Sequence, residues 1–369
     1  MRILVCAGGT GGGIYPALAA VDEMADLGVA KEDILWLGVR GEMEENIVPR
    51  AGIRLETITG GPIAGVSRIK QMQSLAKLGW AVVQSGRHMA RFRPDVLLVT
   101  GGYMSVPVAL AASWRQIPAI AFVPDIEPGS AIKTIMRWDN TRVAATFGAT
   151  TEYLPQGKRF VETGYPVRAA LRDWAERPRA EALAQFDLQP ERKTLFVFGG
   201  SRGAWSINQA LMEILPDLLV DTQVIHVSGT LTWDKIEIFA QQLAPELRVN
   251  YRPYPYLHEE MGAAFRAADL VVARGGASML GECPLFGLPA VIVPYPHAWR
   301  YQKVNADYLA DRGAAIRLND EELATGLQPL LVDLLHNDTT LAEMSVACAA
   351  LETADAAQKL AQAVLELSN

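Results

Sequence analysis

Eight short apolar runs punctuate this chain, at residues 3–7, 34–37, 96–100, 119–123, 195–198, 224–227, 270–273 and 290–293. Apart from Thr100 and His226, each is apolar at consecutive positions rather than at alternate ones. That is how a strand reads when helices cover both faces of its sheet. The segments between the runs are long enough for a helix and carry helical periodicity. Strands of this kind alternating with helices point to parallel sheets in a doubly wound α/β fold. The pattern starts twice. Residues 3–7 lead into Gly8-Gly9-Thr10-Gly11-Gly12-Gly13 and a helix beginning near Pro16; residues 195–198 lead into Gly199-Gly200-Ser201-Arg202-Gly203 and a helix with Ile207, Ala210, Leu211 and Ile214 on one face.

A chain of 369 residues is longer than one hydrophobic core usually supports, so two domains are expected. The change is placed near Gly164-Tyr165-Pro166, ahead of a charged stretch at 174–193 that carries Pro178 and Pro190. Two similar domains facing a cleft, 1–163 and 164–353, follow as the working architecture. The formal net charge of −7 argues against a general nucleic-acid binder. Cys6, Cys283 and Cys348 form neither a disulfide framework nor a CxxC knuckle, which suits a reducing cytoplasm. The most apolar region, 96–114, is interrupted by Thr100, Gly101, Gly102, Ser105 and Pro107, so no run there is long enough to cross a bilayer.

A glycine-rich turn between strand and helix lets backbone N–H groups approach a phosphate, and the helix dipole favours the negative charge. Two such loops in equivalent positions point to phosphate or diphosphate binding. The dinucleotide fingerprint fails, because Ile14 stands where a third glycine is needed, and no Gly-Lys-Ser/Thr follows either loop. The second loop also reads as G-x-S-x-G, the nucleophile elbow of a serine hydrolase, with His226, His258, His297 and His336 downstream as triad partners. The histidines show no metal-ligand spacing and no D-x-D pair is present, so no metal and no cofactor is expected.

Four segments together resemble the MurG family of GT-B glycosyltransferases over nearly the whole chain. They are Gly8 to Gly13 with Pro16-Ala17-Leu18-Ala19; Thr100-Gly101-Gly102-Tyr103-Met104-Ser105; Gly199 to Gly203 with Ala204; and Arg274-Gly275-Gly276-Ala277 with Glu282 and Gly287-Leu288-Pro289. The resemblance implies an inverting, metal-independent transfer of N-acetylglucosamine from UDP-GlcNAc to an undecaprenyl-linked muramyl pentapeptide, lipid I to lipid II, in peptidoglycan and cell-wall biosynthesis. It also implies a peripheral enzyme on the cytoplasmic face of the membrane. An N-terminal acceptor domain would be completed by a C-terminal helix at about 354–369, and the second domain would bind the donor.

Carried over residue by residue, the resemblance gives Ser201, Arg202 and Gly203 the UDP diphosphate, with Arg168 as its cation. Glu282 takes the ribose hydroxyls; Leu257, His258 and Met261 frame the uracil. Gly276, Ala277, Gln302 and Asn305 complete the donor side, and Gly9, Thr10, Gly11, Gly12, Gly13 and Tyr103 form the acceptor loops. Tyr301 stands where the family usually has a glutamine, which bears on sugar identity. Two departures fall on the acceptor side. Gly13 replaces the family's histidine, and Phe122-Val123-Pro124-Asp125 replaces His-Glu-Gln-Asn. An inverting transfer needs a base, so Asp125 or Glu127, on the loop after a strand, are the candidates. The alternative is a paralogue with another acceptor, or a UDP-sugar binder of weak activity. Between residues 68 and 93, Arg68, Lys70, Lys77, Arg87, Arg91 and Arg93 occur without an acidic residue, among Leu75, Leu78, Trp80, Val82 and Phe92. Such a segment reads as attachment to an anionic lipid surface.

Overall fold

The computed structural model describes residues 1–9, 11–60, 68–200, 203–296 and 300–367, with side chains from residue 77 onward in the helix Arg68–Phe92. The chain divides into two compact units, Met1–Arg168 with Thr353–Asn369, and Ala169–Glu352.

The first unit is built on seven parallel strands: β1 Ile3–Cys6, β2 Ile34–Val39, β3 Arg54–Ile58, β4 Val96–Val99, β5 Ala119–Val123, β6 Thr141–Ala145 and β7 Phe160–Glu162. Their order across the sheet is β3-β2-β1-β4-β5-β6-β7. Alternate residues feed two cores. Leu4, Cys6, Leu35, Leu37, Leu97 and Val99 face the helices Arg68–Phe92 and Ser105–Trp114. Ile3, Val5, Trp36, Leu98, Ile120 and Phe122 face the helices Gly11–Asp26 and Ala356–Glu366. Both faces are dry, which is why the central strands read as unbroken apolar runs. Leu360, Ala361 and Val364 of the C-terminal helix belong to that second core, so the chain's end returns to the first unit.

The break between units falls after Arg168 rather than before Gly164, and the return begins at Thr353 rather than 354. Two contacts explain the shift. Gly164 has φ +80°, and a Cβ there would lie 2.4 Å from Cβ of Thr353. The Tyr165 hydroxyl donates to the Gly12 carbonyl at 3.4 Å.

The second unit has six parallel strands: β8 Lys193–Phe198, β9 Thr222–Val227, β10 Tyr251–Tyr254, β11 Leu270–Ala273, β12 Ala290–Ile292 and β13 Ala315–Arg317. Their order is β10-β9-β8-β11-β12-β13. No helix among the described residues is long and apolar enough to cross a membrane. The basic segment is a helix, yet most of its apolar residues do not face out. Val82 is buried, and Leu78 and Phe92 lean on the core, leaving Trp80 and Val83 exposed. The side chains of Arg68, Lys70 and Leu75 lie outside the described residues.

Candidate functional site

In a doubly wound sheet the ligand crevice opens where strand order reverses, beyond the C-terminal ends of the two central strands. In the first unit those strands are β1 and β4, paired in register from Ile3 with Val96 to Cys6 with Val99. The two N-terminal glycine loops therefore leave the sheet side by side. Gly102 (φ +82°) approaches so closely that a Cβ on it would be 2.9 Å from the Gly8 carbonyl oxygen. The Thr100 hydroxyl donates to the Gly13 carbonyl at 2.8 Å. A Cβ at Gly13 would meet that same hydroxyl oxygen at 3.2 Å. Thr100 thus crowds the place where a side chain at position 13 would begin. Thr10 lies outside the described residues.

A residue that the sequence did not single out anchors this loop. Glu44 is fully buried, and its carboxylate accepts hydrogen bonds from the Val39 amide at 3.0 Å and the Gly9 amide at 3.4 Å. Gly8 and Gly38 make room for it: a Cβ on Gly8 would be 2.5 Å from Glu44 Oε1, and one on Gly38 2.6 Å from its Cγ. Tyr103 is partly buried, and burial, then the nearby carboxylates of Glu42 and Glu44, hold its phenol above the usual range.

The two base candidates sit on the loop after β5 in different surroundings. Asp125 is half-buried, whereas Glu127 is 3% exposed and its carboxylate is bonded by Lys133 Nζ at 2.5 Å. Phe122 and Val123 are core residues of β5. The positions of the family's histidine and glutamate therefore offer no polar group here. Arg168 stacks on the Tyr15 ring, 4.0 Å from guanidinium carbon to ring centroid. It is thus held to the first-loop helix.

In the second unit β8 and β11 are the central pair, with Phe198 opposite Ala273. The loop at 199–204 and the loop at 274–278 leave the sheet together. Ser201 and Arg202 lie outside the described residues. Gly203 (φ +77°) packs against β9's exit, where a Cβ would be 2.2 Å from the Ser228 carbonyl oxygen. On the neighbouring loop Arg274 is consumed by structure. Its guanidinium meets Asp320 Oδ1 at 2.5 Å, Ser206 Oγ at 2.7 Å and the Val293 carbonyl at 3.2 Å. A Cβ on Gly275 would be 2.4 Å from the Gln302 carbonyl oxygen, while Gly276 has open space at that point.

Asn305 is fully buried, and its side-chain amide donates to the Gly275 carbonyl at 3.0 Å, tying its helix to the loop. Gln302 is half-buried and accepts from the Tyr295 amide at 2.9 Å, and Tyr301 opens the same helix, Tyr301–Ala310. Ala277 and Glu282 are buried at 7% each, Glu282 in the first turn of the helix Met279–Phe286. After β10, Leu257 is buried, His258 is exposed with its amide donating to Glu260 Oε2 at 3.2 Å, and Met261 begins the next helix.

Two of the four histidines offered as hydrolase partners, His226 and His336, are otherwise employed. His226 is fully buried, with its ring nitrogens 2.7 Å from Tyr251 Oη and 3.0 Å from Asn208 Oδ1, and burial lowers its pKa to about 3. His336 binds Asp221 at 2.7 Å, just before β9 begins, at the opposite end of the sheet from the loop at 199–203. His297 lies outside the described residues. Among the described residues no three of His, Cys, Asp and Glu are grouped to hold a metal ion.

Residues 3–144 match the glycosyltransferase family 28 N-terminal domain and residues 194–360 the family 28 C-terminal domain. A UDP-N-acetylglucosamine–N-acetylmuramyl-(pentapeptide) pyrophosphoryl-undecaprenol N-acetylglucosamine transferase from Moorella thermoacetica is 35% identical, covering 99% of each chain. A protein of the same description from Chlorobium limicola is 33% identical over the full length of both. The crystal structure of Acinetobacter baumannii MurG superposes with a TM-score of 0.76 at 24% identity, covering 99% of each chain. The UDP-GlcNAc 2-epimerase of Neisseria meningitidis shares the fold, with a TM-score of 0.67 at 12% identity and 99% of this chain covered. Two parallel-sheet units of this kind are the GT-B fold, and the matched family makes the chain a glycosyltransferase. The chain belongs to glycosyltransferase family 28 and, within it, to the family of these N-acetylglucosaminyl transferases.

Proposed function

We propose that this chain moves N-acetylglucosamine from UDP-GlcNAc to an undecaprenyl-linked muramyl pentapeptide, lipid I to lipid II, with the second unit holding the donor and the first the acceptor. The full-length match to transferases named for that reaction carries the reading. Membership of the family also displaces the serine-hydrolase alternative.

On the donor side we assign the diphosphate to Ser201, Arg202 and Gly203, ahead of the helix Trp205–Leu218, whose N-terminal dipole favours an anion. Glu282 accepts from the ribose hydroxyls, and Leu257, His258 and Met261 frame the base. Gly276, Ala277 and Gln302 line the sugar, with Asn305 supporting them through Gly275. In the transfer, an acceptor hydroxyl oxygen attacks the anomeric carbon. The bond from that carbon to the UDP oxygen breaks, and its electron pair leaves with the diphosphate. We assign the offset of the charge that develops there to the loop amides and, as the family resemblance implies, to Arg168.

The acceptor hydroxyl's proton goes to Asp125. This assignment rests on its partial exposure at the end of β5, whereas Glu127 is only 3% exposed. Asp125→Asn is expected to lower kcat by about 10²–10⁴ and leave KM for UDP-GlcNAc nearly unchanged. Turnover within threefold of wild type would refute the assignment. We also assign the exposed side of the helix Arg68–Phe92 to an anionic membrane surface. Lys77, Trp80, Val83, Arg87 and Arg91 share it, and the Arg87 guanidinium lies 5.3 Å from the Trp80 ring centroid.

A further inference from the structure

His226 takes no part in the transfer as derived above, yet it is a fully buried titratable side chain in a closed chain of hydrogen bonds. The direction of that chain can be worked out. The Ser228 carbonyl can only accept, and it receives the Thr232 hydroxyl and the Asn208 side-chain amide, each at 2.9 Å. With its proton spent on Ser228, Thr232 Oγ1 accepts from Asn208 Nδ2, also at 2.9 Å. Both neighbours of Nδ2 are acceptors, so the orientation of the Asn208 amide is fixed. Its Oδ1 therefore faces His226 Nε2 as an acceptor, at 3.0 Å. The imidazole must carry its proton on Nε2 and accept from the Tyr251 hydroxyl at Nδ1, at 2.7 Å. Donation thus runs one way, from Tyr251 through His226 and Asn208 to Ser228.

The chain ends where the donor loop rests. Gly203 lies so close to the Ser228 carbonyl that even a methyl group would collide with it. The backbone N–H of Asn208 also donates to the Ala204 carbonyl at 2.9 Å, at the end of the loop. We propose that Asn208, held in place by His226 and Tyr251, is a positioning residue for the donor diphosphate: it fixes the Ser228 carbonyl against which Gly203 of the phosphate-binding loop is seated. This rests on the assignment of that loop to the diphosphate. Amides that bind an anion must be held to within a fraction of an ångström, and a shift of the Ser228 carbonyl passes directly to Gly203.

The test is calorimetric titration of the full chain with UDP. Asn208→Asp places an acceptor against the Ser228 carbonyl and is expected to weaken UDP by about tenfold or more. Because the same loop amides offset the charge that develops on the leaving diphosphate, its kcat at saturating UDP-GlcNAc should fall as well. Thr232→Val removes one arm of the same contact and is expected to weaken UDP about three- to tenfold, with Thr232→Ser restoring wild-type affinity. Should Asn208→Asp fail to fold, the Thr232 pair decides. Wild-type binding of UDP together with equal affinities for Thr232→Val and Thr232→Ser overturns the inference alone. No UDP binding by the wild type overturns the donor-loop assignment, and the inference with it.

Discussion

Removing either partner of the Glu127–Lys133 pair should have unequal consequences. The Glu127 side chain is 4% exposed and that of Lys133 36%. Lys133→Met takes the ammonium from a carboxylate that water barely reaches. Breaking a buried pair from one side costs about 3–5 kcal/mol, and the exposure of Lys133 reduces this to about 2–3 kcal/mol. Glu127→Gln leaves a cation that water already solvates and an amide oxygen that still accepts from it, at a cost of about 1 kcal/mol or less. Thermal unfolding should therefore show Lys133→Met lower than wild type by roughly 4–12 °C and Glu127→Gln by no more than roughly 4 °C, at about 2–4 °C per kcal/mol. The same samples report on the base. With Asp125 in that role, Glu127→Gln keeps kcat to within about an order of magnitude. A Glu127→Gln variant less stable than Lys133→Met would refute the electrostatic argument. One that folds normally and loses catalysis would transfer the base to Glu127.

Glu44→Gln keeps an acceptor for only one of the Val39 and Gly9 amides and turns an NH₂ toward the other, so unfolding in denaturant should show a loss of about 1–3 kcal/mol; an unchanged midpoint would mean that the carboxylate does not hold the loop. The pKa of His226 is lowered to about 3 from 6.5. The unfolded chain then gains a proton at pH values where the folded chain does not, so this residue's contribution is complete above pH 6.5 and is lost as pH falls toward 3. Its part of the stability slope is about 1.4 kcal/mol per pH unit, seen as shallower acid unfolding in His226→Gln, and equal slopes would contradict it. Flotation with anionic liposomes should fall in Trp80→Ala and Arg87→Ala, with about 1 kcal/mol lost for the removed cation; flotation indifferent to anionic lipid would set the membrane assignment aside.

The strands visible as apolar runs are mostly those with both faces covered. The missed ones lie mainly at sheet margins. β3, Arg54–Ile58, carries exposed Arg54 and half-buried Glu56; β10, Tyr251–Tyr254, contains Pro253 and lies at the sheet's edge beside β9; β7 and β13 have three residues each. β6 lies inside the sheet, but its Thr-Arg-Val-Ala-Ala sequence lacks a continuous apolar run. Edge strands are specified by their neighbours more than by their own residues.

The glycine loops were legible because positive φ and close backbone approach demand glycine, as at Gly102 and Gly203. Glu44 was not, since it stands between Glu42 and Glu45 with nothing local to set it apart. Gly38, on the preceding strand, and Gly8, distant in sequence, create its socket. Asp125 and Glu127 are equivalent as letters and are separated only by what packs on them. Asn305 carried a family signal, but the bond from its side-chain amide to the Gly275 carbonyl is visible only in the structure.

The most direct test of the account is UDP release from UDP-GlcNAc by the full chain, with and without a lipid I analogue. The account predicts release that depends on the lipid and yields the disaccharide-linked product, despite Gly13 in place of the family's histidine. UDP that binds but is not released when lipid I is supplied would contradict the assigned acceptor and with it the transfer proposed for this chain.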